Sequence, residues 1–505
     1  AKLKTLDNSI NLLLSGNPDA YIVLRTSYAI TPQDWAKRHQ DQLFKEPGGN
    51  VLSDYSFGSE NWKEEVGHSL IALVNHVRTS SYSGRVIGII LGAGSTDEWG
   101  HWRSEFDYSP SMDKYLRQWL YHKYKGELSA FRKAWADPEV RFDTACVPAH
   151  NEGWKYTFGP FMNPAVTRRG IDYYHTHNAV VADKINYFAK IIKKASRGQW
   201  LTGFFYLDLT TVHYLLSGVT ALREVIDSPD IDFIATPCQY DNRGLGGIND
   251  QRGVVDSLRL RNKLWFTEND TRLWLDDPSQ KQYGRPNNEE ETIDLLKRDF
   301  CSTMVRGTYG WWTHSSISLG GIFSNDTLLN TLARLQEVGQ SSLNYNRSSL
   351  REIAVVVDEE SLFLTHCAYS FWGIHREKIH ELGRIGTSYD FYLLDDLANP
   401  SMPDYKLYIF LNAFSLTNEK RSWIERKVKK NRATVVWIYA PGLINEDASK
   451  HVLSPDNMLS LTGIQFAWED IDRKTDIKIT DAKHQIASHL GSGYQFGQFT
   501  SLITT

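Results

Sequence analysis

The chain has 505 residues, including 16 Trp and 25 Tyr, and a net charge of −4 from 56 basic and 60 acidic residues. That length exceeds one ordinary hydrophobic core, so two or more domains are expected. Balanced charge excludes a basic footprint for nucleic acid and an electrostatic pull toward anionic membranes, and no apolar run reaches the roughly 18 residues of a membrane span.

In chain order, Leu3 to Leu14 reads as a helix. A chain that opens inside a helix, without Met or a signal peptide, is expected to be part of a longer protein. Tyr21 to Ser27 is the first predicted strand. The amphipathic stretch Trp62 to Thr79 follows, with Val66, Leu70, Leu73 and Val77 near helical spacing. Val86 to Leu91 is the second strand, a continuous apolar run of the kind buried on both faces. A helix over Tyr173 to Ser196 places Lys193 and Lys194 at its C-terminal end, where they suit the dipole. Strands are then predicted at Leu201–Leu207, Ile231–Thr236, Lys263–Phe266 and Val305–Trp312, with helices at Glu289–Val305 and Asp326–Val338. This alternation implies parallel strands joined by right-handed crossovers. Six such strands do not close an eight-stranded barrel. The expected fold is therefore a (β/α)8 TIM-type barrel lacking its first two βα units.

A polar stretch, Gln340 to Ser349, leads to a second α/β region. Its strands are Glu352–Val357, Tyr389–Leu394, Tyr405–Leu411 and Ala433–Tyr439, with a helix over Asn418–Lys430. The pattern is doubly wound and flavodoxin-like, but it carries neither G-x-G-x-x-G nor a P-loop, so no nucleotide site is expected. The expected division is 1–345 for the barrel, 351–475 for the flavodoxin-like region and 476–505 for a partial C-terminal segment. Cys146, Cys238, Cys301 and Cys367 are scattered and read as buried packing residues; Cys367 sits in no nucleophile turn. They leave the compartment open between cytoplasm, periplasm and exterior.

Two carboxylates stand out, each just past an apolar strand. Glu98 lies in Arg85-Val-Ile-Gly-Ile-Ile-Leu-Gly-Ala-Gly-Ser-Thr-Asp-Glu-Trp-Gly-His-Trp102, and Glu268 in Asn262-Lys-Leu-Trp-Phe-Thr-Glu-Asn-Asp-Thr-Arg272. Barrel enzymes keep catalytic groups at the C-terminal ends of their strands. Two such carboxylates from different strands fit cleavage of a glycosidic bond, with one as proton donor and the other as nucleophile or base. Glu98 is expected to act as acid/base, desolvated by Trp99 and Trp102, and Glu268 as nucleophile, kept ionised by a nearby Arg or Tyr. The competing reading makes Glu98 a surface loop carboxylate and Glu268 half of a structural Glu–Arg pair. Asp270 is expected to hold Arg272 or the substrate. Arg25, Asp97, Trp99, Tyr240, Arg243, Asp270, Arg272, Trp311 and Trp312 are the candidate substrate-binding residues, with one of the two last tryptophans under a sugar ring and the other in the core. Asp208 could also line the mouth, while His101 and His314 read as structural donors. No His/Cys cluster calls for a metal, and no cofactor is expected.

Together these segments resemble the β-galactosidase-like enzymes of glycoside hydrolase family 42 and their clan A relatives. Further similar stretches are Asn17-Pro-Asp-Ala-Tyr-Ile-Val-Leu-Arg25, Ile171-Asp-Tyr-Tyr174, Ser228-Pro-Asp-Ile-Asp-Phe-Ile234 and Tyr240-Asp-Asn-Arg243. The resemblance implies an acid/base at the end of barrel strand four and a nucleophile at the end of strand seven, which Glu98 and Glu268 match if two strands precede Tyr21. It also implies that the region after Arg351 is a flavodoxin-like trimerisation domain and that the enzyme is a homotrimer. One position departs: the clan places Asn before the acid/base, against the sugar 2-hydroxyl, and this chain has Asp97. An ionised Asp only accepts hydrogen bonds, so the identity of the sugar stays open.

The expected function is that of a retaining exo-β-glycosidase acting on a β-glycoside or oligosaccharide, β-galactosidase-like, with its carboxyl groups roughly 5–5.5 Å apart. The alternatives are a β-mannosidase or other β-glycosidase of the clan, or a non-catalytic carbohydrate-binding barrel. An α/β hydrolase of other chemistry is disfavoured because G-x-S-x-G is absent.

Overall fold

The structure is a computed structural model. It describes residues 2–95, 97–100, 105–152, 156–206, 216–240, 242–249, 251–313, 325–346, 348–365, 381–448, 452–469, 476–477, 485, 494–495 and 502–504.

Six parallel strands form the first sheet: β1 (Ile22–Ser27), β2 (Val86–Gly92), β3 (Leu201–Phe205), β4 (Phe233–Pro237), β5 (Leu264–Asn269) and β6 (Tyr309–Trp312). They lie side by side in sequence order. On a flat sheet β1 and β5, four steps apart, would be about 19 Å from each other. Yet Arg25 on β1 reaches Glu268 on β5 across 2.6 Å, so the sheet is curled into a half-barrel. Its concave face carries Ile90, Phe205, Phe233 and Ala235, with Phe266 and Trp311 packed against them. The opposite face buries Leu24, Ile89, Leu91, Phe204, Ile234 and Trp265 under the helices.

The helices begin α1 (Lys2–Gly16), α2 (Glu60–Arg78), α3 (Pro110–Lys123) and α4 (Pro164–Ala195). Ser59 caps α2 through the Trp62 amide, and Asn163 followed by Pro164 starts α4 earlier than its apolar periodicity alone predicts. Thr167 departs from helical backbone angles near the start of α4. Then come α5 (Leu222–Ile226), α6 (Val255–Arg259), α7 (Glu289–Arg306) and α8 (Asp326–Ser342). Three consecutive glutamates in the first turn of α7 complement its dipole, and Gly307 ends it in a left-handed turn. Val305 therefore belongs to α7, and the last barrel strand begins only at Tyr309, not at Val305 as predicted.

The second sheet comprises β7 (Ile353–Val357), β8 (Asp390–Leu393), β9 (Leu407–Phe410) and β10 (Thr434–Trp437), all parallel, in the order β8-β7-β9-β10. A short helix, α9 (Glu359–Phe363), follows β7, and α10 (Asn418–Asn431) lies between β9 and β10. This is a second α/β region, whose strand order matches the first four positions of a doubly wound 2-1-3-4-5 sheet. Val355, Val357, Phe391 and Leu393 join the barrel's core, whereas Ala354, Val356, Tyr392 and Tyr408 form a separate one. The two sheets are also tied through polar groups. Asp256 and Ser257 of α6 accept the Phe391 and Leu393 amides of edge strand β8, both at 2.8 Å, which covers that edge. Glu359 accepts the Leu222 and Arg223 amides at the start of α5, at 2.6 and 3.1 Å.

Cys238 is buried as expected, but Cys146 and Cys301 are exposed. Cys146 lies in a loop and Cys301 on the outward side of α7, where neither contributes to packing. Among the described residues no helix is long and apolar enough to cross a membrane.

Candidate active site

Parallel pairing places Trp311 and Pro237 level with Glu268, at the C-terminal end of the sheet. Glu268 is 9% exposed. Its Oε1 accepts from Arg25 Nη1 at 2.6 Å and from Trp311 Nε1 at 3.3 Å. The Arg25 guanidinium lies 4.8 Å above the Phe205 ring, which braces it from the third strand. Both donors converge on one oxygen, so the carboxylate is oriented while Oε2 stands outside this pair of bonds. The arginine serving Glu268 is thus Arg25, far away in sequence, and not Arg272.

Glu98 is half-buried in the loop that leaves β2. That loop folds tightly back on the strand. A side chain at Gly92 would meet Asp97 Cβ at 2.7 Å, and one at Gly94 would meet the Gly100 carbonyl at 2.4 Å. Asp97 and Trp99, on either side of Glu98, both take positive φ, at 67° and 55°. L-residues adopt this region at a cost, and such strain collects at functional loops. Ser27 Oγ donates to Asp97 Oδ1.

Trp99 corrects an expectation. It is 1% exposed, its indole N–H donates to the Leu91 carbonyl at 3.0 Å, and its ring packs among Phe57, Trp62, Phe188 and Phe204. It anchors the loop from beneath and neither meets a sugar nor walls off Glu98. His101 and Trp102 lie outside the described residues, as do Asp208, His314 and Cys367.

Asp270, Arg243 and Arg272 also differ from the expectation of substrate contact. Arg243 donates to Asp270 Oδ1 at 2.7 Å and to Cys238 Sγ at 3.2 Å, and Arg272 donates to Asp270 Oδ2 at 3.2 Å. Arg243 is 2% exposed. Burial alone would raise the Asp270 carboxyl, but Arg243, Cys238 and Arg272 together hold it below the usual carboxylate range. Burial, and then Asp270, push the Cys238 thiol up to about 12. This buried ionic knot ties the loop after β4 to the end of β5, beneath the site. Asp270 does hold Arg272, as one of its two expected partners.

Tyr240 sits on the rim, its ring 4.6 Å from the Arg243 guanidinium and 5.6 Å from that of Arg252. Burial raises its hydroxyl pKa, Asp270 and Glu98 add to the rise, and Arg252 opposes it. Strand β1 reaches both carboxylate-bearing segments, through Arg25 to Glu268 and through Ser27 to Asp97 beside Glu98, so the two lie over one end of the sheet. Trp312, level with Asn269, points to the other face and packs with Leu273, Leu296 and Leu328. It is the core tryptophan of the pair, and Trp311 is the one at the site.

Sequence reasoning missed Ser27, Phe205 and Arg252. Ser27 and Arg25 alternate on one strand, and that i, i+2 spacing was the available signal. Among the described residues no group of His, Cys, Asp and Glu is placed to hold a metal.

Residues 2–219, which include Arg25, Asp97 and Glu98, match the glycoside hydrolase family 42 model, described as Beta-galactosidase. The chain is similar in fold to the β-galactosidase of the psychrophilic Marinomonas ef1, at 15% identity and TM-score 0.67, over 99% of this chain and 76% of that one. It is similar to the β-galactosidase of Bacillus circulans sp. alkalophilus at 15% identity and TM-score 0.67, over 99% and 73%. The cold-adapted β-galactosidase of Rahnella sp. R3 matches at 14% and 0.66, over 99% and 72%. No curated protein matches the chain. The chain shares with these β-galactosidases the fold of a TIM-type half-barrel followed by a second α/β region. Glu268 lies beyond the family match, so its assignment rests on geometry.

Proposed function

We propose that the chain hydrolyses terminal β-linked sugars, β-galactosides first among them, with retention of configuration. The observation that carries this reading is the Glu268 carboxylate at the end of β5, oriented through one oxygen by Arg25 and Trp311. Oε2 attacks the anomeric carbon as the bond to the leaving oxygen breaks, and the Glu98 proton passes to that oxygen. Water then attacks the same carbon, gives a proton to Glu98 and releases Glu268. Arg25 and the Trp311 indole fix the attacking group before substrate arrives, so orientation is not purchased during the reaction. Tyr240 at the rim supports a contact to the sugar, and the Asp97 carboxylate supports an acceptor beside the acid/base.

The test is a panel of aryl β-glycosides assayed with the parent, Glu268→Ala and Glu98→Ala. Cleavage by the parent, loss in Glu268→Ala, and rescue of Glu98→Ala by azide support the reading. A parent that binds sugars and cleaves none favours the non-catalytic barrel. Preference for β-mannosides would change the sugar and leave the mechanism.

The same reading divides the chain into a catalytic part at 1–345, a flavodoxin-like part at 351–475 and a segment at 476–505. It makes the molecule a homotrimer, which sedimentation tests. The strand order of the second sheet supports the middle part.

A further inference from the structure

Two residues on one strand hold the two carboxylate-bearing loops. Arg25 and Ser27 project from the same side of β1, because side chains alternate along a strand. Arg25 grips Glu268 at the end of β5. Ser27 grips Asp97 in the loop after β2. Ser27 is level with Gly92 in the pairing of β1 with β2. The missing side chain at Gly92 is what lets Asp97 lie over the strand end, within reach of the Ser27 hydroxyl. On the far side of Glu98, Trp99 is locked by its amide to the Ala93 carbonyl at 2.8 Å and by its indole to the Leu91 carbonyl at 3.0 Å. Glu98 is therefore strung between a buried anchor at Trp99 and a surface hook at Ser27. Both neighbours are held in left-handed backbone conformations that a non-glycine residue leaves when released.

We infer that Ser27 is a positioning residue for Glu98, acting through Asp97, and that β1 sets the spacing of the two catalytic carboxylates from its Arg25 and Ser27 side chains. This rests on the assignment of Glu98 as proton donor. Loss of the hook frees Asp97, lets the strained loop relax and moves Glu98 off the leaving oxygen. The nucleophile, held by Arg25, is untouched. The damage falls on proton donation and not on attack.

Leaving-group dependence reads that difference. A dinitrophenyl group departs without a proton, whereas an alkyl group needs one. The assay compares kcat/KM of the parent, Ser27→Ala, Ser27→Thr and Glu98→Ala on a dinitrophenyl and a methyl β-galactoside. In Ser27→Ala the loss on the methyl glycoside is expected to exceed the loss on the dinitrophenyl glycoside by about tenfold or more, a part of the roughly 100- to 10,000-fold that general acid catalysis contributes. Ser27→Thr, which keeps the hydroxyl, is expected to restore most of it. Equal losses on both substrates, or none, in a Ser27→Ala protein with the parent's melting temperature would overturn the inference. If Glu98→Ala itself shows no leaving-group dependence, the assignment of the proton donor fails instead. A parent that cleaves neither substrate contradicts both.

Discussion

Replacing Arg25 by Met removes the closest partner of Glu268 while leaving a flexible apolar stem over Phe205. The size of the effect follows from burial. The Arg25 side chain is 45% exposed and that of Glu268 is 12% exposed, with 2.6 Å between them. A fully exposed pair contributes up to about 1 kcal/mol, and breaking a buried one costs about 3–5 kcal/mol. A half-exposed arginine on a largely buried carboxylate falls between, at about 2–3 kcal/mol. If that interaction orients the attacking group, kcat/KM drops about 30- to 150-fold. Arg25→Lys keeps the charge without the planar fork and is expected to lie between the parent and Arg25→Met. Kinetics on an aryl β-galactoside, with thermal unfolding as a control on the fold, give the answer. Arg25→Met within about threefold of the parent would refute the reasoning, because Glu268 would then need no orientation from β1.

Trp311→Phe keeps a ring in the apolar concave face but removes the second donor to Glu268. About 0.5–1.5 kcal/mol, or a 2- to 12-fold loss in kcat, is expected, and an unchanged kcat would count against an indole contact that matters. Asp270→Asn leaves two guanidiniums facing a neutral amide in a buried setting; urea unfolding is expected to show a loss of about 3 kcal/mol, and a loss below about 1 kcal/mol would mean that the knot is not a support. Burial raises the Glu359 carboxyl from 4.5 to about 8, so between those pH values the folded chain retains a proton that the unfolded chain has released. Stability contributed by this group is therefore full below pH 4.5 and falls as pH rises toward 8, by no more than about 5 kcal/mol. Glu359→Gln is expected to flatten that part of the unfolding profile between about pH 5 and pH 8, and a profile identical to the parent's would show that Glu359 does not titrate there.

The two carboxylates were legible in the sequence because each follows a continuous apolar run, and a parallel strand buried on both faces leaves that mark. The alternation of strand and helix gave both sheets for the same reason. Partners from distant strands were not legible. Arg272, four residues past Glu268, looked like its partner, yet it bonds Asp270, and Arg25 arrives from 243 residues away because the sheet curls. Trp99 misled for a related reason. Its proximity in sequence to Glu98 suggested a shared environment, but the left-handed backbone at Trp99 turns the indole beneath the loop. Trp311 and Trp312 face opposite ways, as successive residues on a strand do, but only the register with Glu268 shows that Trp311 is the one beside the carboxylate. The short helices and the antiparallel strands Leu43–Lys45 and Val51–Tyr55 carry mixed polarity and little periodicity, and leave no clear mark in the sequence.

The central claim is that Glu268 is the nucleophile. A dinitrophenyl β-galactoside with fluorine in place of the hydroxyl beside the anomeric carbon slows both steps of the reaction, and its good leaving group allows the first to proceed. The sugar then accumulates on the enzyme. After incubation with the full chain and proteolysis, mass spectrometry locates the added fluorosugar. The account expects it on the peptide that contains Glu268, and on the Glu268 carboxylate when that peptide is fragmented. A label on Asp270 or Glu98, or turnover of ordinary aryl galactosides by Glu268→Ala at the parent's rate, would contradict it.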